Sequence, residues 1–108
     1  MRHFHDPVVI RRAPLTASAY TNRRDWENAR TLWSGLASVQ PDRAFEVRSP
    51  ERETAQERLV VYLPWGTPVD STDRIVWDGR TFEVDGEPMR WQQGSLRHVR
   101  IRAWRAMH

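Results

Sequence analysis

The clearest pattern in the chain is a two-residue alternation between positions 55 and 63. Ala55, Leu59, Val61 and Leu63 fall on one face, and Gln56, Arg58, Val60 and Tyr62 on the other. That is the period of a strand with one side against a core. Glu57 interrupts the apolar face near its start, so burial is expected from Arg58 onward. The last strand, from about Leu96 to Ala106, repeats the pattern, with Val99, Ile101 and Ala103 on one side and His98, Arg100, Arg102 and Trp104 on the other. Between these two, Asp73 to Trp77 and Arg80 to Val84 flank Asp78-Gly79, a pair that supplies the positive backbone angles of a tight hairpin turn. Asp85-Gly86-Glu87-Pro88 is expected to end that hairpin, because proline cannot donate to a ladder. Pro64-Trp65-Gly66-Thr67-Pro68 reads as a turn and Gln92-Gln93-Gly94-Ser95 as a loop.

The amino-terminal half is less regular. Phe4 to Arg12 holds the β-branched run Val8-Val9-Ile10 and stops at Ala13-Pro14, which predicts a first strand. Leu15 to Asp25 has no helical periodicity and reads as a long exposed loop. Within Trp26 to Val39, Trp33, Ala37 and Val39 share a face with Gly35 between them, predicting a second strand, bulged at Gly35 and ended by Pro41. Asp42 to Glu53 is charged almost throughout except at Ala44, Phe45 and Val47. Ser49-Pro50-Glu51 suits the start of one helical turn, but no apolar stripe accompanies it. Six strands and no long amphipathic helix predict a mainly β fold, a small barrel or sandwich with long loops and at most one short helix. At 108 residues the chain suffices for one core, so residues 1 to 108 are expected to form a single domain.

Composition narrows the chemistry. There is no cysteine, which excludes disulfides, thiolate catalysis and cysteine-based zinc sites. All 17 basic residues are arginine, and against 14 acids they leave a net charge of only +3. Guanidinium forks bind carboxylates and phosphates bidentately, and on so mixed a surface most are expected in ion pairs or solvated faces. The segment before Pro7 is too polar for a signal peptide, and no apolar run approaches the roughly 20 residues that span a bilayer. The expected setting is the cytoplasm, with no membrane partner.

His3, His5 and Asp6 are ligand-type residues close together, but a metal site needs further ligands on an ordered scaffold, so a solvated segment is expected there. No nucleophile, base and orienting group assemble from the sequence, and the expectation is a non-enzyme without cofactors. His98, Arg100 and Arg102 make a basic face suited to DNA phosphates or to a neighbour's carboxylates. Of six tryptophans, Trp33 and Trp77 are expected in the core. Trp65, Trp91 and Trp104, with Tyr20 in the 15 to 25 loop, are candidate anchors for a partner surface.

The stretch Val61-Tyr62-Leu63-Pro64 followed by Asp73-Arg74-Ile75-Val76-Trp77-Asp78-Gly79-Arg80-Thr81-Phe82-Glu83-Val84-Asp85-Gly86-Glu87-Pro88 resembles the head-to-tail joining, or head-closure stopper, proteins of long-tailed bacteriophages. The resemblance is specific in residue detail over 61 to 88 and extends to element order over roughly the whole chain. It implies a structural role with no reaction: a homo-oligomeric ring below the portal that closes the capsid channel after DNA packaging and docks the tail. The partners it implies are a portal-side adaptor, a tail terminator or tail tube protein, and non-specific contact with packaged DNA. The place it implies is the head-tail interface of the virion, after assembly in the host cytoplasm. The loop from Pro41 to Thr54 maps to the channel gate, with Asp42, Arg43, Phe45, Glu46, Arg48 and Glu51 as its candidate residues. The loop acids Asp42, Glu46, Glu51 and Glu53 would repel DNA from a channel wall or keep the loop solvated. The alternatives are another neck component, an adaptor or tail terminator, or a small β-barrel nucleic-acid-binding protein.

Overall fold

Strands that alternate apolar and polar side chains bury one face of a sheet, but an open sheet still leaves two edges of unpaired backbone groups. In the computed structural model of the chain, which describes residues 4–16, 23–43, 56–94 and 97–106, those edges meet. The strands are β1 (Asp6–Arg12), β2 (Arg30–Pro41), β3 (Gln56–Pro64), β4 (Arg74–Trp77), β5 (Arg80–Trp91) and β6 (His98–Ala106). They form a closed antiparallel barrel in the order β1-β2-β3-β6-β5-β4. The short β4 closes it, pairing Ile75 with Ile10 of β1 on one side and with Phe82 of β5 on the other. The mainly β expectation holds, and of its two forms the chain adopts the barrel.

The alternation read from β3 and β6 sets the interior. Leu59, Val61 and Leu63 meet Val99, Ile101 and Ala103 in the core, with Val61 opposite Ile101. Phe82, Ile10, Leu63 and Ile75 are the largest fully buried side chains, and each such burial stabilises by roughly 1.5–3 kcal/mol. The Asp78-Gly79 hairpin forms as predicted, with φ of 53° and 72° and Trp77 paired to Arg80.

Three local expectations are corrected. The bulge in β2 lies at Leu32, where the pairing steps from Ile10↔Trp33 to Arg11↔Thr31, while Gly35 pairs with Val8 in regular register. The bulge lets both Leu32 and Trp33 pack against the core. Glycine is needed at 35 for space, since a Cβ there would lie 2.7 Å from Cζ2 of Trp33.

The second correction concerns Asp85 to Pro88, which does not end the hairpin, because β5 continues to Trp91. Asp85 pairs with Arg102 and Met89 with Arg100, so Gly86, Glu87 and Pro88 stand opposite Ile101 alone. Gly86 takes a φ of 78° there. The excess over regular pairing is an even number of residues, so the inside-outside parity of β5 survives, as an odd slip would not allow. Third, the stretch from Trp26 opens with a 3-10 turn, Trp26–Asn28, before β2 begins at Arg30. The base of the 15 to 25 loop is also zipped by a Leu15↔Arg24 bridge and a Thr16 N–H to Arg23 carbonyl bond of 2.8 Å. The helical turn expected at Ser49-Pro50-Glu51 lies outside the described residues.

One end of the barrel is covered by the connection from β3 to β4, which inserts its own Val69 into the core. Arg12 secures this cover by donating from Nε and Nη2 to the two carboxylate oxygens of Asp73 at 2.7 and 2.9 Å, and from Nη2 to the Pro68 carbonyl at 3.1 Å. The Asp73 side chain is fully buried, a placement a carboxylate tolerates only when paired and hydrogen-bonded. Its hydrogen bond is also what most raises the Arg12 pKa. Asp70 completes the clamp, 3.0 Å from Arg12. Its partial burial pushes its pKa up, but the Thr72 hydroxyl and N–H bonds and the charges of Arg12 and Arg24 outweigh this and leave it below the ordinary value.

Two outcomes follow. Gly35→Ala should destabilise the fold by about 1–3 kcal/mol in urea unfolding, with part of the loss recovered when Trp33 is shortened to Leu. A neutral Gly35→Ala would show that the indole has room to move. For Asp70, a lowered folded pKa favours the folded state above the unfolded carboxylate value and loses that contribution as pH falls through the folded one. Wild-type stability should therefore drop more than that of Asp70→Asn as pH falls below the ordinary value of 3.8.

Candidate functional site

The described interior positions are almost all apolar, and the titratable groups and most aromatic rings stand on the outer surface and at the rims. On β6 the outward residues are His98, Arg100, Arg102 and Trp104, and the strands on either side decide what each one meets. His98 lies between Pro64 and Trp91, Arg100 between Tyr62 and Met89, Arg102 between Val60 and Asp85, and Trp104 between Arg58 and Glu83. The His98 ring stacks on Trp91, with centroids 6.2 Å apart and planes at 21°, and tilts against Tyr62 at 5.7 Å. An aromatic row therefore crosses β3, β6 and β5. Beside it, Arg100 donates from Nη2 to the Met89 sulfur at 3.3 Å.

The ion pairs explain which arginines are left for other work. Arg12 is engaged by Asp70 and Asp73, Arg80 by Glu57 and Asp78, and Arg105 by Glu57. Arg58 holds Asp85, the carboxylate that faces Arg102 across the ladder. Among the described residues, Arg43, Arg100 and Arg102 form no salt bridge with a carboxylate, as is also true of Arg11, Arg24, Arg30, Arg74, Arg90 and Arg97 elsewhere on the barrel. The first three converge on an open groove of about 460 Å3 between the end of β2 and the outer face of β6, with Val60 and Tyr62 of β3 on its floor. Such a groove can bind anions.

Residues far apart in sequence are thus joined: Arg43, expected in a gate loop, faces Arg100 and Arg102, expected on a DNA-contacting strand. Asp42 also lines the groove but is corrected from a solvated loop residue to a buried one, 2% exposed. Its N–H donates to the Arg58 carbonyl at 3.0 Å, extending the β2–β3 ladder one step past Pro41↔Leu59. Phe45, Glu46, Arg48, Glu51 and Tyr20 lie outside the described residues. Trp65 is exposed in the turn after β3, Trp91 is 42% exposed at the end of β5, and Trp104 is half-buried. Sequence reading missed Tyr62 and Met89 as site residues. Their outward positions were readable from alternation, but their contact with His98 and Arg100 depends on the pairing of three strands.

Glu57, the polar break in the apolar face of β3, sits at the mouth opposite the Arg12 clamp. Its carboxylate accepts from Arg80 Nη1 at 2.8 Å and from Arg105 Nε at 2.7 Å, while Arg80 lies 5.1 Å from the Trp77 ring centroid. Both guanidiniums are half-buried and satisfied, which makes this knot structural. Asp6 likewise has a structural partner, accepting from the Val39 N–H at 2.9 Å. His3 lies outside the described residues.

Together these features define a small closed antiparallel β-barrel with an arginine-bearing, aromatic outer face. No family model matches the chain, and no curated protein matches it. Among solved structures it is similar to protein SF1141 from Shigella flexneri 2a, at 17% identity and a TM-score of 0.65, over 93% of this chain and 90% of that one. At that identity the likeness shows the fold.

The groove arginines and the knot should separate in a stability measurement. Arg100→Ala and Arg102→Ala should each leave unfolding free energy within about 0.5 kcal/mol of wild type. Glu57→Ala, which strips the acceptor from two guanidiniums, should cost about 1–2 kcal/mol, less than a fully buried pair because the rim is partly wet.

Proposed function

We propose that the chain is a head-closure component of a bacteriophage neck, a subunit of a ring between the portal-side adaptor and the tail. The observation that carries this reading is the residue-level resemblance over Val61 to Pro88, the segment that contributes the end of β3, all of β4 and most of β5. The physics of the barrel is compatible with a role in assembly. Closure gives each strand a partner on both sides, with β2 meeting β3 only over Ser38–Pro41, so little sheet edge is offered to copies, whose contacts then fall mainly on outer faces and loops. Leu36, Met89 and Trp91 are large apolar side chains exposed for such contacts. A ring needs two different surfaces on each subunit joined head to tail around a closing rotation. In this reading the β2–β3 connection, which leaves the barrel at Asp42 and Arg43, is the gate, and the two rims of the ring receive the adaptor and the tail.

Electron microscopy of virions carrying this chain should show it as a closed ring on the DNA axis, between portal and tail. Density confined to the tail tip or the capsid face would overturn the assignment. A position inside the neck but against the portal, or at the end of the tail tube, would reassign it to adaptor or tail terminator.

A further inference from the structure

We propose that the outer face of β3, β6 and β5 binds single-stranded nucleic acid, with Arg43, Arg100 and Arg102 holding phosphates and Tyr62 and Trp91 offering rings to bases. The proposal stands apart from the ring reading and does not depend on it.

Charge is the first argument. One acid of this face is already committed, while Glu83 and Glu87 of β5 are exposed beside it. Asp85 is held by Arg58, and Asp42 is buried. The three arginines of the groove are in no salt bridge among the described residues. Three guanidiniums against the single carboxylate of Asp42 make the groove locally basic on a chain whose net charge is only +3, and its complement is an anion chain.

Spacing is the second. Outward side chains on one strand recur about every 6.6 Å, twice the strand rise, so Arg100 and Arg102 can each take one of two neighbouring phosphates. Arg43 faces them across the groove. The aromatic row lies alongside, with the exposed Trp91 backed by His98 and that ring in turn by Tyr62. A stacking platform beside a cationic groove is the arrangement by which single strands are held without regard to sequence, since every base has a π-face.

Shape decides between single strand and duplex. The outside of a small closed barrel is convex, and a stiff duplex touches a convex surface at few phosphates. A flexible single strand can follow the groove and turn its bases toward the rings. In a duplex those bases are stacked inside and unavailable to Tyr62 and Trp91.

The test is fluorescence anisotropy of a labelled oligothymidylate titrated with the full chain at several salt concentrations. Binding should be measurable at low salt and weaken as salt rises. In the Arg100→Ser/Arg102→Ser variant, affinity should fall about tenfold or more and the log–log salt slope should shrink by about 1.4, from about 0.7 per lost contact. Trp91→Ala should weaken binding by about fivefold or more with the salt slope unchanged. Thermal unfolding of both variants should match wild type, since all three side chains lie on the outer surface. No binding at low salt, or equal binding by the variants, overturns the proposal. Tighter binding to a duplex of the same length overturns the single-strand assignment. If the variants instead alter self-association in sedimentation and leave the oligonucleotide unaffected, the face belongs to a second copy of the chain. None of these failures bears on where the chain sits in a virion.

Discussion

β4 is only four residues long, yet both of its edges are paired, to β1 and to β5, and through it the sheet becomes a cylinder. Closure removes the exposed edges that an open six-stranded sheet would present. It also makes inside and outside absolute. Once the cylinder is shut, every inward position along its middle must be apolar and must fit the space left by Phe82, Ile10, Leu63 and Ile75. Among the described residues the interior is lined by apolar side chains, and the charged groups and most aromatic rings lie on the outer face, rims and loops.

The same constraint explains the placement of the charged residues that break the alternation. Glu57 and Arg105 occupy inward-parity positions, and they are tolerated because they lie at a mouth where the guanidiniums of Arg80 and Arg105 share one carboxylate. At the other mouth the buried Asp73 is held by Arg12, and Arg90 donates to the Val69 carbonyl of the covering loop at 2.7 Å. Each end is thus sealed by charge-assisted hydrogen bonds, which are stronger than neutral ones. This sealing draws acids to the rims. The arginines that remain on β6 and at the end of β2 make one face locally basic although the chain as a whole is nearly balanced.

Both bulges serve this division. At Leu32 the extra residue brings two adjacent side chains onto the core, and Trp33 then lies over Gly35, where a methyl group would collide with it. At Gly86 to Pro88 the longer bulge leaves parity intact, which keeps Met89 and Trp91 outside, opposite Arg100 and His98. Without it the aromatic row would not form, because Trp91 would fall out of step with His98.

Much of the barrel was legible in the sequence. The period of two in Leu59-Val61-Leu63 and in Val99-Ile101-Ala103 specified strands and their buried faces, since side-chain direction in a strand is a local property of the backbone. The Asp78-Gly79 turn was equally local, because its positive φ values limit which residues can occupy it. Where reading failed, the cause was non-local. The glycine and proline within Asp85 to Pro88 suggested the end of a hairpin, but the strand continues because β6 is there to pair with it. Gly35 was taken for the bulge, when what it accommodates is an indole two residues away. Asp42 looked solvated until the β2–β3 ladder carried it inward. The groove has the same origin. Sequence alone determined that Tyr62, Arg100 and Arg102 point outward. Their convergence with Arg43, and the capture of Asp85 by Arg58 that leaves Arg102 without a carboxylate among the described residues, were decided only when antiparallel pairing set the register between strands distant in the chain.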